Sequence, residues 1–392
     1  MEYEKPSQTA QRLNVTSRAI QKWAVDGRIP GAVKIADHWL IPKTFEKPLT
    51  KSQARPSESS VPPRTPPTLL NQTFPSGCCQ EYINSITNEN ERIVATAEYN
   101  FYAGDADHAA EILEPLLDCE DAYIRDTALL IYSYANLSRG HIHLASISLS
   151  LLKKSSEKYE SMSVLPQIRA LHIWNAHTLA VLVRDNEDDL EPLENWIRYL
   201  PGGMRLFACY MIAHKMYLQG KFQGAHAVSK ISVDLCLDRY VIPEIYCKII
   251  DAISLMNLKH ISEAEEQFLS AWKLAKADSF LEPFAEHYQY LQGLADRCLK
   301  NQYPEDYKKL TEIATLFANH WSALRSINNN YPKINFSVTE LTIAVMYTRD
   351  WTAKEIADHL DMSVRTVYRH ISNIYDALGI RNVAELKKYV AN

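Results

Sequence analysis

The sequence predicts a mainly α-helical protein, with a small folded region at each end of a long helical middle. Three observations carry that reading. Between about residues 80 and 330 apolar residues recur at helical spacing, and Gly and Pro are sparse and fall between the periodic segments. A short helix, a tight turn and a second helix with a polar face are written near both ends, within 5–48 and within 336–386. Seven prolines, among many Ser and Thr, lie from Pro48 to Pro75, which reads as an extended, semi-rigid linker with no core of its own. The expected parts are a winged helix-turn-helix at 1–48, a linker at 49–77, a helical-repeat domain at 78–332 and a four-helix domain at 333–392.

In the first part, Ser7 is placed to cap a short helix carrying Ala10 and Leu13. Asn14-Val15 makes a turn, and Thr16 caps a second helix running through Trp23. After Asp26-Gly27-Arg28, the alternation in Val33-Lys34-Ile35 and Trp39-Leu40-Ile41-Pro42, with a turn at Ala36-Asp37-His38, predicts a β-hairpin wing. The Gly27-Arg28-Ile29-Pro30 turn and the wing strand from Trp39 resemble the winged helix of excisionase and MerR-type regulators. That resemblance implies DNA contact from Thr16, Ser17, Arg18, Gln21 and Lys22 on the second helix, and from Arg28, Lys34 and His38 around the wing. Winged helices also pair with proteins, and that alternative stays open.

The helical middle contains a recurring unit: a helix ending in Tyr or Leu, a short polar turn, then a helix opening on a small or apolar residue. Tyr102 to Ala109, Leu137 to Ala145 and Leu218 to Ala225 carry it with Gly104, Gly140 and Gly220 in the turns. Asn257 to Ala264, Leu299 to Asp306 and Val183 to Leu190 carry weaker versions. The second-helix anchors 109, 145, 190, 225, 264 and 306 are spaced by 36, 45, 35, 39 and 42 residues. The unit resembles degenerate tetratricopeptide repeats, whose period is about 34 residues. A non-repetitive helical bundle is the alternative. Trp174, Trp196, Trp272 and Trp321 read as repeat core, with some aromatics free to line a concave groove.

The C-terminal stretch is the most informative. Leu341, Ala344, Val345 and Tyr347 repeat at helical spacing, and Thr352 caps a short helix with Ile356, Ala357 and Leu360 on its apolar side. Asp361-Met362-Ser363 is a turn, and Ser363 caps a longer helix in which Val367, Ile371, Ile374 and Leu378 form one buried stripe. Gly379 suits the left-handed position that ends it. The opposite face offers Arg365, Thr366, Tyr368, Arg369, Ser372 and Asn373, the hydrogen-bonding and cationic chemistry of a helix laid in the DNA major groove.

Ala353-Lys354-Glu355-Ile356-Ala357, Leu360, Ser363, Thr366-Val367, His370, Asn373-Ile374 and Leu378-Gly379 resemble the DNA-binding domain of the bacterial LuxR family. The resemblance covers roughly the last 55 residues. It implies DNA contacts from Lys354, Ser363, Arg365, Thr366, Tyr368, Arg369, Ser372 and Asn373, and pairing into a homodimer through a fourth helix near Val383 to Val390. Four positions depart from the family's habit: Ala353 stands for Asn, Tyr368 for Lys, Asp350 for Gly and Ala377 for Lys. Only Tyr368 touches the reading surface, so it bears on sequence preference and not on fold.

Charge is distributed to match. The chain has net charge −5. Residues 1–50 hold eight Lys and Arg against five Asp and Glu, and residues 333–392 hold eight against seven, so the excess negative charge lies in the middle. Basic or neutral ends on an acidic body suit a protein whose ends touch nucleic acid. No Gly-rich phosphate loop, H-E-x-x-H or paired C-x-x-C occurs, so no cofactor, metal or catalytic site is expected. His141 and His143 read as solvated turn residues, the seven cysteines as reduced thiols, mostly buried. With neither a leader-like nor an eighteen-residue apolar segment, the expected location is cytoplasmic, with no membrane contact.

The function expected from the sequence is a non-enzymatic regulator of transcription. Its partners would be double-stranded DNA, a second copy of the chain, a peptide, small-molecule or protein ligand of the repeats, and RNA polymerase. An adaptor, in which the repeats and winged helix bind proteins and only the C-terminal domain contacts DNA, is the other reading.

Overall fold

The computed structural model describes residues 3–25, 29, 32–35, 38–43, 45, 65–160, 165–183, 190–329 and 336–390. It divides into two units, Met1–Arg64 and Thr65–Asn392.

In the first unit, β1 (Tyr3–Glu4) leads into α1 (Pro6–Arg12) and α2 (Ser17–Val25), and β2 (Val33–Ile35) and β3 (His38–Pro42) follow. The strands form an antiparallel sheet in the order β1-β3-β2, with Tyr3 opposite Pro42 and Val33 opposite Leu40. Ala10, Ile20, Ala24, Ile29 and Ile41 make its core. Ser7 does not cap α1. The helix starts at Pro6, because proline's fixed φ suits the first helical position and its missing N–H would have no partner there anyway. Asn14 turns the chain in the left-handed region at φ 52°, and Thr16 Oγ1 accepts the Ala19 N–H at 3.3 Å.

In the second unit, α3 (Cys79–Ser85) precedes two helical hairpins, α4 (Glu89–Tyr102) with α5 (Ala106–Leu113) and α6 (Ala122–Ser138) with α7 (Ile142–Glu160). After α8 (Pro166–Val183) come two more, α9 (Gly202–Leu218) with α10 (Phe222–Asp234) and α11 (Val241–Asn257) with α12 (Ile261–Lys276). Each hairpin turns on one left-handed residue: Gly104 at φ 85°, Gly140 at 77°, Gly220 at 74° and Lys259 at 64°. Three of these four are glycine because an L side chain meets its own backbone there. Five residues past each turn stands an alanine, at positions 109, 145, 225 and 264, and none is more than 1% exposed. The missing bulk lets the paired helices approach closely.

The other two of the three weaker sequence units differ from these. Residues 184–189 lie outside the described residues. Asp306 is half-buried in the first turn of a long helix rather than a small anchor within a hairpin. After α13 (Glu282–Glu286) and α14 (Leu294–Leu299), that helix, α15 (Pro304–Asn329), runs back against α13 and α6. His141 and His143 are exposed, and Trp174 and Trp272 are buried. The side chain of Trp321 lies outside the described residues. All seven cysteines are free thiols, but only Cys79 and Cys247 are fully buried.

The proline-rich segment is shorter as a tether than its composition suggests. Leu69, Leu70 and Phe74 are buried in the helical core. Glu98 accepts the Thr68 hydroxyl at 2.7 Å and the Leu69 N–H at 2.6 Å, and Asp278 accepts the N–H groups of Gly77 and Cys79 at 2.7 and 3.0 Å. Residues 65–77 therefore belong to the helical body, and the three apolar side chains are the reason. Of the expected linker, 49–64 lies outside the described residues.

The last four helices are α16 (Val338–Thr348), α17 (Ala353–His359), α18 (Val364–Leu378) and α19 (Val383–Val390). They are not a separate unit. Their near side packs on three left-handed turns of the helical body. At Gly220, the Arg349 guanidinium lies 5.4 Å from the Tyr217 ring and 5.0 Å from Phe222. At Lys259, the ammonium sits 3.4 Å from the centre of the Trp351 ring and 3.2 Å from Glu355 Oε1. At Gly293 (φ 85°), a β-carbon would stand 2.5 Å from Leu360 Cδ2, and the left-handed backbone favours glycine there as well. Trp351 and His359 are 5% and 8% exposed as a result.

Candidate nucleic-acid interface

The C-terminal helices are fixed by their own caps. Ser337 and Glu340 exchange hydrogen bonds at the start of α16, and Thr352 and Glu355 do the same at α17, with the Glu355 N–H donating to Thr352 Oγ1 at 3.2 Å. Ser363 Oγ accepts the Thr366 N–H at 3.0 Å and lies 2.8 Å from Thr366 Oγ1. Both hydroxyls thus serve the entry of α18, which sets the helix start before any ligand arrives. Gly379 ends α18 in the left-handed conformation at φ 65°.

Burial along α18 follows the predicted stripe. Val367 and Ile374 are wholly buried, Ile371 is 6% exposed, and Leu378 is half-buried against Ala344 and Leu386. On the outer face Arg365, Tyr368, Arg369, Ser372 and Asn373 are exposed, and Thr366 is half-buried. Lys354 on α17 is exposed as well. Among the described residues, Lys354, Arg365 and Arg369 have no carboxylate partner, so their charge is available to phosphates and base edges. The surface includes one residue that the polar pattern did not single out. Val364 is 38% exposed, one helical turn before Tyr368, which is 58% exposed. An apolar group there suits the thymine methyl, and exposure at a helix start is the signal for it.

Residues 335–390 match the family model of bacterial regulatory proteins of the luxR family. That LuxR-type domain marks a DNA-binding transcription regulator. No curated protein and no solved structure matches the chain at a significant level. One departure from the family's habit has a direct physical account. Asp350, where glycine is usual, takes φ 63°, a region that Asp tolerates better than most side chains, and its carboxylate meets Lys387 at 3.3 Å. Ala353, where Asn is usual, is buried.

In the first unit Thr16, Arg18, Gln21, Lys22, Lys34 and His38 are exposed and Ser17 is half-buried. Thr16 is engaged as the cap of α2. Arg18, Gln21 and Lys22 lie on the exposed face of α2, and Lys34 and His38 on neighbouring strands. Arg28 lies outside the described residues. Among the described residues no group of three or more His, Cys, Asp or Glu is arranged to hold a metal, and no described helix is long and apolar enough to cross a membrane.

Proposed function

We propose that the protein is a non-enzymatic transcriptional regulator with two DNA readers, α18 in the LuxR-type domain and α2 in an N-terminal winged helix. Its tetratricopeptide-like middle senses a ligand and adjusts DNA binding. The observation that carries this reading is the placement of α18 within the second unit. The helical body grips the near side of the LuxR-type domain through Arg349, Trp351 and Leu360, while Arg365, Arg369 and Asn373 stay exposed. A body that holds the reader without covering it is suited to steer the reader's geometry. A ligand acts on such a device only through unequal affinity for its arrangements. Dimerisation through α19 would set two such readers on a two-fold site.

The adaptor reading of the first unit remains the alternative, since winged helices also pair with proteins. Deleting residues 1–50 separates the readings. If α2 is a second DNA reader, the deletion weakens binding to long promoter fragments much more than to a single C-terminal site. It also lowers the salt slope by about 0.9 for each phosphate that is no longer neutralised. Unchanged affinity and slope would assign the first unit to a protein partner.

A further inference from the structure

The helical body contains a pair of carboxylates that the DNA-binding surface does not use. Glu282 and Glu286 lie one helical turn apart on α13, so both project to one side of it. Glu282 Oε1 accepts the Ser138 hydroxyl at 2.8 Å, and Oε2 has no partner although the residue is 1% exposed. Glu286 Oε2 accepts the Tyr246 hydroxyl at 2.9 Å. Among the described residues neither carboxylate has an ion-pair partner. Two carboxylates offer about four acceptor positions each, so most of this acceptor capacity is unmatched.

Aromatic residues stand beside Glu286. Tyr246, whose hydroxyl donates to it, lies 4.8 Å from Tyr210 and 6.4 Å from Tyr102, centre to centre, and burial with the Glu286 charge pushes the Tyr134 hydroxyl pKa up. The nearest histidine supplies no charge. His287 Nδ1–H donates to the Pro283 carbonyl at 2.8 Å, so Nε2 accepts the Tyr210 hydroxyl at 3.0 Å, and burial holds the ring neutral by pushing its pKa down to about 4. Glu286 and Tyr134 are half-buried, whereas Glu282, Tyr102, Tyr210 and Tyr246 are buried, so a ligand would enter from the Glu286 side.

We propose that this acidic, tyrosine-walled site binds an organic cation, an ammonium or guanidinium group whose N–H donors fill the free positions of Glu282 and Glu286 while its charge rests against the rings of Tyr102, Tyr134, Tyr210 and Tyr246. Carboxylates and aromatic faces both favour positive charge, and both gain strength where water is scarce. A hard metal ion fits less well, since the described residues hold no third carboxylate or histidine grouped with these two for coordination. Burial, and for Glu286 the neighbouring Glu282, raises the two carboxyls to about 7 and about 8. Near pH 7 the empty site therefore holds protons that a cation would expel. The regulatory meaning of the site rests on the sensor reading above, whereas cation binding itself is independent of it.

Calorimetry on the full chain tests this with two probes. One is a free alkyl diamine and the other a short peptide with blocked termini and one lysine. The same probes with acetylated amines are the controls. The expected result is saturable binding of at least one amine probe, none of the acetylated forms, and a heat that changes with buffer because protons are released. The tighter probe identifies the source of the cation. Glu286→Gln should weaken binding by about tenfold or more, and Tyr246→Phe by less. Glu286→Gln puts a neutral amide in place of a buried carboxyl that is mostly protonated near pH 7, and its melting temperature checks folding, with Tyr246→Phe as the second variant. Absence of binding by both probes, equal binding of acetylated probes, or unchanged binding by folded Glu286→Gln overturns the site. If the probe binds but DNA affinity does not change, the site stands and the sensor reading falls.

Discussion

Replacing Lys259 with glycine should loosen the LuxR-type domain from the helical body while leaving the body intact. Lys259 makes two contacts to that domain, with the Trp351 ring at 3.4 Å and with Glu355 at 3.2 Å. A cation–π contact is worth about 0.5–1 kcal/mol at an exposed site and more when one partner is desolvated, as the 5%-exposed Trp351 is. The ion pair is 40% and 47% exposed and adds only about 0.2–1 kcal/mol. Together the loss is about 1–2 kcal/mol, or roughly 5–30-fold in the docking equilibrium. The body's own balance moves the other way. Lys259 holds φ 64°, where glycine is free of the side-chain penalty, so the α11–α12 turn should gain up to about 1 kcal/mol. Hydrogen exchange on the full chain reads both effects, because docking adds its free energy to the protection of α16 and α17. Amides of α17 should lose protection while those of α11 and α12 do not. Unchanged exchange in α17, or equal loss in all four helices, would refute the docking energetics.

Three further outcomes follow from the same geometry. Arg369→Ala should weaken specific DNA binding by about 1–3 kcal/mol if the guanidinium meets a base edge, and weaken all sequences equally if it meets only phosphate; unchanged binding in a competition assay removes it from the interface. Ile371→Asp places a carboxylate in a position 6% exposed and should cost several kcal/mol, seen as loss of cooperative melting of the LuxR-type domain. Alkaline pH should destabilise the body. Glu286 at about 8 and Glu282 at about 7 have folded pKa values above the ordinary carboxyl, so the stability they contribute is complete below the unfolded value and lost as pH rises through the folded ones. His172 and His287, held near 4 by burial, lose their contribution only on the acid side. The melting temperature should therefore fall between pH 7 and 9, by the equivalent of about 1 kcal/mol for Glu286 alone, and Glu286→Gln should flatten the fall.

Local chemistry is legible in the sequence, and long-range placement is not. The Ser363 cap, the Val367–Ile374 stripe and the Gly379 stop are all read within one helix, and each stands where the pattern puts it. Gly104, Gly140 and Gly220 mark hairpin turns because their conformation is a local demand. Lys259 occupies the same conformation without being glycine, and nothing near it in sequence announces the tryptophan it covers, 92 residues on. The segment 65–77 departs from its composition for a different reason. Proline content speaks of stiffness, but Leu69, Leu70 and Phe74 decide burial, and three apolar side chains in a polar stretch are the available signal. In sequence Glu282 and Glu286 are an ordinary i, i+4 pair. Only the fold brings Ser138, Tyr134, Tyr210 and Tyr246 to them.

The way the reader is held limits how it can be regulated. Arg365, Arg369, Ser372 and Asn373 are exposed with the LuxR-type domain docked, so under the proposed sensor function the helical body would act on α18 without covering it. What the body constrains is the orientation of α16 and α17, through Gly220, Lys259 and Gly293. These contacts lie on the turns of two hairpins and on the segment after α13, so a change in hairpin packing reaches the domain directly. α13 bears the carboxylate pair, and Gly293 follows its end by only seven residues. A cation seated on Glu286 would thus bear on the element next to the Leu360 contact. Its effect on DNA binding is bounded by its differential affinity for the docked and undocked arrangements, and about 1.4 kcal/mol of difference shifts that balance tenfold.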